Sequence, residues 1–212
     1  MKEQVFISAA VYAYNCESNI IPFIENLDAT LSGIYQDYEI IIVNDFSKDQ
    51  TLANARMAAA KVSGDCSIIN LSRKHGIEHA MMAGLNKSMG DFVYEIESVI
   101  VDYPLDILST LYRTATIGNY DIVAASSDRT SLYSKVFYKI LNKISYLEMS
   151  LSTESARIVS RRALNAMLNL KEKVRYRKAL YEYTAMPKRL FIMSPIKASL
   201  FLIERSIVKI YH

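Results

Sequence analysis

Short apolar runs alternate with amphipathic stretches along the first 126 residues of the chain. Residues 5–11 form a short apolar run of strand length. Residues 19–31 then repeat Ile20, Ile21, Phe23, Ile24, Leu27 and Leu31 at helical spacing. The clearest strand is 38–43, a run of the kind buried on both faces, which ends in polar Asn44-Asp45. An alanine-rich helix is predicted over 49–63, a third strand over 66–71 and a helix over 79–88. Gly90-Asp91 opens a fourth strand that carries Glu95 and Glu97 on one face and ends in the Asp102-Tyr103-Pro104 turn. A helix over 105–116 and a fifth strand over 121–125 follow. Strand–helix alternation with short loops predicts an α/β fold, a mainly parallel sheet with helices on both faces. In that fold, chemistry gathers just beyond the C-terminal ends of the strands, where Glu97 stands.

After Ser126 the rhythm changes. Residues 131–144 set Tyr133, Val136, Phe137, Ile140, Leu141 and Ile144 on one face against Lys135, Lys139 and Lys143. A strand is expected over 156–159, a helix over 161–170, and a last amphipathic helix from Ser194-Pro195 through Ile207. Arg175 to Arg177 and Lys188-Arg189 stand out only as basic clusters. With no repeat, low-complexity tract or flexible linker, the chain reads as one domain: a core over 1–130 and a basic extension over 131–212.

Charge sharpens that division. Residues 1–130 hold 9 Lys/Arg and 17 Asp/Glu, a balance of −8, whereas residues 131–212 hold 16 and 5, a balance of +11. A basic rear half is suited to phosphates or an anionic membrane surface, and equally to a solvated lysine-rich helix face. Cys16 and Cys66 have no metal or redox spacing, which points to a reduced, cytoplasmic compartment. No apolar run reaches the roughly 18–20 residues needed to span a bilayer.

Common phosphate loops are missing: neither GxGxxG nor GxxxxGK[ST] occurs, and His75, His79 and His212 lack ligand spacing. Four segments instead occur in an informative order: VYAYNCESNI (11–20), EIIIVNDFSKDQT (39–51), LSRKHGIEHAMMAGLNKSMGD (71–91) and EIESVIVDYP (95–104). Together they resemble the family 2 glycosyltransferases of GT-A fold. The likeness is to the polyprenyl-phosphate sugar transferases of the dolichyl-phosphate-mannose and bactoprenol-glucose type. ESARIVSRR (154–162) echoes a later segment of that branch, and the resemblance spans about residues 4–190.

The resemblance implies a nucleotide pocket built from Ala13, Tyr14, Asn15, Glu17, Asp45, Arg73 and Gly76. Asp45 would read a uracil or guanine N–H with its carboxylate. Asp at a helix start is also an ordinary cap, the preferred reading for Asp49. The family's acid-x-acid motif falls on Glu97-Ser98-Val99. Glu97 would take the first position, toward ribose or a divalent ion, but Val99 has no atom to ligate one. Asp102 is a further acid within reach after a loop shift, so Mg²⁺ or Mn²⁺ dependence is expected to be weak or unusual. Glu95 is read as a sheet-edge or solvent-facing residue. Phe46 replaces a family glycine and Ser155 a family aspartate.

For a hydroxyl acceptor the lost acid matters, because a positioned base contributes about 10²–10⁴-fold. A phosphate acceptor is already anionic, and Arg157 with Arg161 or Arg162 would clamp it, unless these form only a basic helix surface. The expected function is transfer of a sugar from a UDP- or GDP-sugar to a polyprenyl phosphate or glycan in cell-surface polysaccharide assembly. The expected partners are an anionic membrane face, where the basic extension would rest peripherally, and a membrane protein or second copy for anchoring, with no nucleic acid. The alternative is a GT-A-fold subunit that binds nucleotide sugar without turnover, since Phe46, Val99 and Ser155 all depart from the pattern.

Overall fold

The alternation resolves into β1 (Glu3–Ala13), β2 (Tyr35–Asn44), β3 (Asp65–Asn70), β4 (Phe92–Ile96), β5 (Ile122–Ser127), β6 (Glu154–Ser160) and β7 (Lys188–Met193). The helices are α1 (Glu17–Ile34), α2 (Thr51–Ala59), α3 (Ile77–Lys87), α4 (Ile107–Gly118), α5 (Arg161–Asn169) and α6 (Arg177–Tyr183). The computed structural model describes residues 2–101, 103–127, 154–170, 177–184 and 186–193. The amphipathic segments expected over 131–144 and 194–207 lie outside the described residues, as does Asp102.

The strands form one 7-stranded sheet in the order β3-β2-β1-β4-β6-β5-β7. Its first four strands are mutually parallel, β6 runs antiparallel to both β4 and β5, and β7 is parallel to β5. The central strands are apolar on both faces because both faces are covered. Ile7, Ala9, Val11, Tyr94 and Ile96 pack on one side with Ile20, Ile24 and Leu27 of α1 and Leu108 and Leu111 of α4. On the other side Ala10 and Val93 meet Met81 and Leu85 of α3, Leu164 and Met167 of α5, and Leu180 and Tyr181 of α6. Each such Leu or Ile contributes about 1.5–3 kcal/mol on burial. Side chains alternate along a strand, so Glu95 and Glu97 share Val93's face and point toward α3 and α6.

Two elements differ from expectation. Lys188-Arg189, read only as a basic cluster, is exposed and begins β7, and Arg177 opens α6. Gly90 marks the entry to β4. A Cβ there would come 2.5 Å from the Ser8 backbone nitrogen and 2.7 Å from the Ile7 carbonyl carbon, so only glycine lets β4 start this close to β1.

Candidate functional site

The loops that follow β1, β2 and β3 meet at the C-terminal edge of the sheet and are tied together by their own polar side chains. Asn15, in the left-handed region at φ 44°, donates its N–H to Ser47 Oγ (3.0 Å), and its Oδ1 accepts from Lys48 N (2.9 Å). Glu17 Oε2 accepts from Gln50 N at 2.8 Å, and Asp49 Oδ2 accepts from Glu17 N at 3.2 Å. Asp49 Oδ1 also accepts from Thr51 N (3.0 Å) at the start of α2, from one residue before the N-cap Gln50 rather than from the cap position expected of it. Ala13 is 1% exposed and its carbonyl accepts from Asp45 N, so it lies beneath the site rather than on its surface. Tyr14 and Phe46 expose parts of their rings. Lys74 Nζ stands 3.7 Å from the centroid of the first and Lys48 Nζ 3.5 Å from that of the second. Arg73 is exposed on the same rim.

Asp45 is engaged more fully than its expected base-reading role requires. Its Oδ1 accepts from His75 N (2.7 Å), while Oδ2 accepts from Gly76 N (2.9 Å) and from the Tyr12 hydroxyl (3.0 Å). The residue is 0% exposed. Burial, with Asp45 alongside, pushes the Tyr12 phenol well above its ordinary value. Asp45 therefore clasps the turn after β3, and Gly76 (φ 84°) supplies the backbone conformation that points two successive N–H groups at it. In this conformation a base N–H would have to displace that turn to reach the carboxylate.

At the end of β4 lies an ionic cluster. Glu95 is 2% exposed, not solvent-facing as expected. Its Oε2 accepts from Arg157 Nη1 (3.1 Å) and Arg177 Nε (3.2 Å), and its Oε1 from the Tyr181 hydroxyl (2.5 Å). Arg177 is 0% exposed and reaches two further carboxylates, Glu78 Oε2 through Nη1 (3.0 Å) and Glu97 Oε1 through Nη2 (2.5 Å). Burial pushes the Glu95 carboxyl up, but Arg157 and Arg177 more than offset it and hold it below its ordinary range. For Glu78, burial wins and the carboxyl is raised. Among the described residues three carboxylates meet two guanidiniums, and Glu97 and Glu78, with side chains 27% and 22% exposed, are the acids that reach solvent.

The expected acceptor clamp does not assemble. Arg157 faces Glu95 across the sheet, so its guanidinium is held inside. Because β6 runs antiparallel to β4, residues beyond Arg157 move away from the site, by about 13 Å over four residues. Arg161 consequently lies at the opposite edge, donating from Nε and Nη2 to the Gly90 carbonyl (2.9 and 2.6 Å). Arg162 forms a two-point pair with Asp121. Val99 is 6% exposed and joins the apolar core on the α1 and α4 side. Arg177, Glu78 and Tyr181 were not among the expected site residues. A pair of acids on one face of a helix-covered strand was the signal available, since buried charges must be paired.

A family model, Glycosyl transferase family 2, matches residues 8–168. Among curated proteins, CsbB of Bacillus subtilis, which carries a glycosyltransferase name, is 32% identical over 185 residues, covering 84% of this chain and 55% of that protein. The undecaprenyl-phosphate 4-deoxy-4-formamido-L-arabinose transferase of Photorhabdus laumondii is 30% identical over 138 residues, covering 64% and 42%. The chain thus spans about half the length of the curated relatives it matches. A solved mannosyltransferase from Pyrobaculum calidifontis, in complex with GDP-Man and Mn²⁺, shares the GT-A fold. Its TM-score is 0.60 at 16% identity, over 90% of this chain and 57% of that one.

The Mn²⁺ of that structure sets a test for the acids of this chain. Val99 has no donor atom, Glu97 is already ion-paired, and among the described residues no three His, Cys, Asp or Glu side chains converge to hold a metal. A hard divalent cation needs several oxygen ligands, and the described residues at the end of β4 do not fit one.

Proposed function

This chain belongs to glycosyl transferase family 2, and from that membership we propose that it moves a sugar from a UDP- or GDP-sugar to a polyprenyl phosphate or glycan, with inversion at the anomeric carbon. The observation that carries the reading is the meeting, in a chain of this family, of the Tyr14-Asn15 loop, the Asp45-clasped turn and Glu97 at one edge of the sheet. The half-buried Tyr14 and Phe46 rings offer faces for a base. Lys48, Arg73 and Lys74 offer positive charge for a diphosphate.

In the step itself an acceptor oxygen forms a bond to the anomeric carbon while the bond to the diphosphate breaks, and the electron pair departs with the nucleoside diphosphate. A phosphate acceptor is anionic at neutral pH and needs no deprotonation, which suits a chain with Ser155 where the resemblance expects an acid. No helix among the described residues is long and apolar enough to cross a membrane. A lipid-linked acceptor would be met at the membrane face, with the basic rear half toward it.

Calorimetric titration with UDP, GDP and their sugars, followed by transfer to undecaprenyl phosphate, tests the reading. Binding of one nucleotide with transfer supports it; no binding of either rejects the pocket. Buried Val99 favours a second reading, a site that binds donor without turning it over. Binding without transfer, with transfer appearing in a Val99→Asp, Ser155→Asp double variant, would establish that one instead.

A further inference from the structure

The acids at the end of β4 do not fit a divalent ion because a side chain already holds them. Arg177 comes from α6, 80 residues beyond Glu97 in sequence. All three guanidinium nitrogens are used: Nε on Glu95, Nη1 on Glu78 and on the Ile77 and Glu78 carbonyls, and Nη2 on Glu97. Its own backbone N–H also donates to Glu78 Oε2 at 2.9 Å. A planar guanidinium satisfies several carboxylates at fixed angles, which a lysine ammonium in the same place would not. The side chain is fully buried, and Glu97, the most exposed of the three acids, stands just past β4 where the candidate donor pocket begins.

We propose that Arg177 is the resident cation of this site: it takes the place of a divalent ion among the acids of β4 and α3, orients Glu97 toward the donor, and so lets the pocket take a nucleoside diphosphate without metal. This assignment rests on reading the site as a donor pocket. Arg177 is a positioning residue, acting through Glu97. The charge of the diphosphate falls instead to Lys48, Lys74 and Arg73 on the facing loops, all exposed.

Two titrations on the full chain separate the ideas. Mn²⁺ alone, followed by the loss of its free-ion paramagnetic resonance signal, is expected to bind with no one-to-one site. Stoichiometric binding by the wild type overturns the assignment. UDP and GDP, titrated in EDTA and again in excess Mn²⁺, are expected to give a Kd for the preferred nucleotide that agrees within about twofold. Metal and nucleotide sharing a site would be coupled, and a tightening of about fivefold or more with Mn²⁺ overturns the proposal. Absence of binding for both nucleotides in both conditions overturns the donor-pocket reading itself, a different result from metal-dependent binding.

Arg177→Gln frees Glu78 and Glu97, leaving Glu95 on Arg157 and Tyr181, and is expected to gain Mn²⁺ binding. A folded variant that still ignores Mn²⁺ overturns the role given to Arg177. Because losing a buried cation threatens the fold, partly exposed Glu97→Gln is the companion variant, leaving Glu78 and Glu95 paired. It is expected to weaken nucleotide binding equally in EDTA and in Mn²⁺; a loss confined to Mn²⁺ contradicts the proposal.

Discussion

Phe46 occupies a conformation made for a smaller residue. At φ 59° it sits in the left-handed region, where a side chain costs about 1–2 kcal/mol relative to glycine. The resemblance places a glycine there, the residue that takes this conformation without strain. Phe46→Ala and Phe46→Gly both delete the ring and its contact with Lys48, but only glycine relieves the backbone. The alanine variant is therefore expected to be less stable than the glycine variant by about 1 kcal/mol, read from urea midpoints. Asp45 teaches a related lesson. A carboxylate recognisable as a pocket residue in sequence is occupied by the protein's own N–H groups, because the turn that delivers them is folded locally by Gly76 and invisible to motif matching.

Among the elements, β6 decides which basic residues can serve the site. Its antiparallel direction brings Arg157 to Glu95 and carries Arg161 to the far edge. Arg161→Ala should accordingly lower stability by about 1–3 kcal/mol, through loss of charge-assisted bonds to the Gly90 carbonyl, and leave nucleotide affinity unchanged. A calorimetric Kd that rises with the substitution would refute that placement. The first six strands and five helices were legible because each shows a run or period of its own, many of them closed by Gly, Asn or Pro. Strand β7 was not, since Lys188-Arg189 at its start masks a short run of Leu190, Phe191, Ile192 and Met193. Likewise α6 has only 7 residues, too few for a helical period to stand out. The loops after β1 and β2 could be placed together because the residues of each are neighbours in sequence and the two strands pair in parallel. The ionic cluster could not, because its members are joined only by the sheet and by α6 packing over it.

At the scale of the molecule, the division between an acidic front and a basic rear is partly an internal match. Arg157 and Arg177 of the rear half are spent on Glu78, Glu95 and Glu97 of the front half, so neither is available to an outside phosphate as the structure stands. The pairing also fixes how stability responds to acid. Glu95 has a folded-state value below its ordinary 4.5, so its contribution is fully present above that pH and is lost as pH falls through the folded value. Glu78, raised by burial, works in the opposite direction. The stability difference between wild type and Glu95→Gln is expected to be largest near neutral pH and to shrink below about pH 4.5, as the unfolded chain takes up a proton that the native carboxyl binds only at lower pH. A difference constant from pH 7 to pH 3, measured by urea unfolding, would contradict the pairing.

The pairing of β4 with β6 has a kinetic side. Strands β3, β2, β1 and β4 are neighbours made from residues 3–96, and β6, β5 and β7 form the other flank, so a single seam joins what is synthesised early to what is synthesised late. Glu95 and Arg157 face each other across it. A contact between distant segments that closes an already assembled flank is expected to form after the folding barrier has been crossed. Glu95→Gln should therefore leave the refolding rate nearly unchanged and speed unfolding, so that only the unfolding limb of the chevron moves. On that account the buried charges act as a latch on the finished molecule, setting how long it stays folded rather than how fast it gets there.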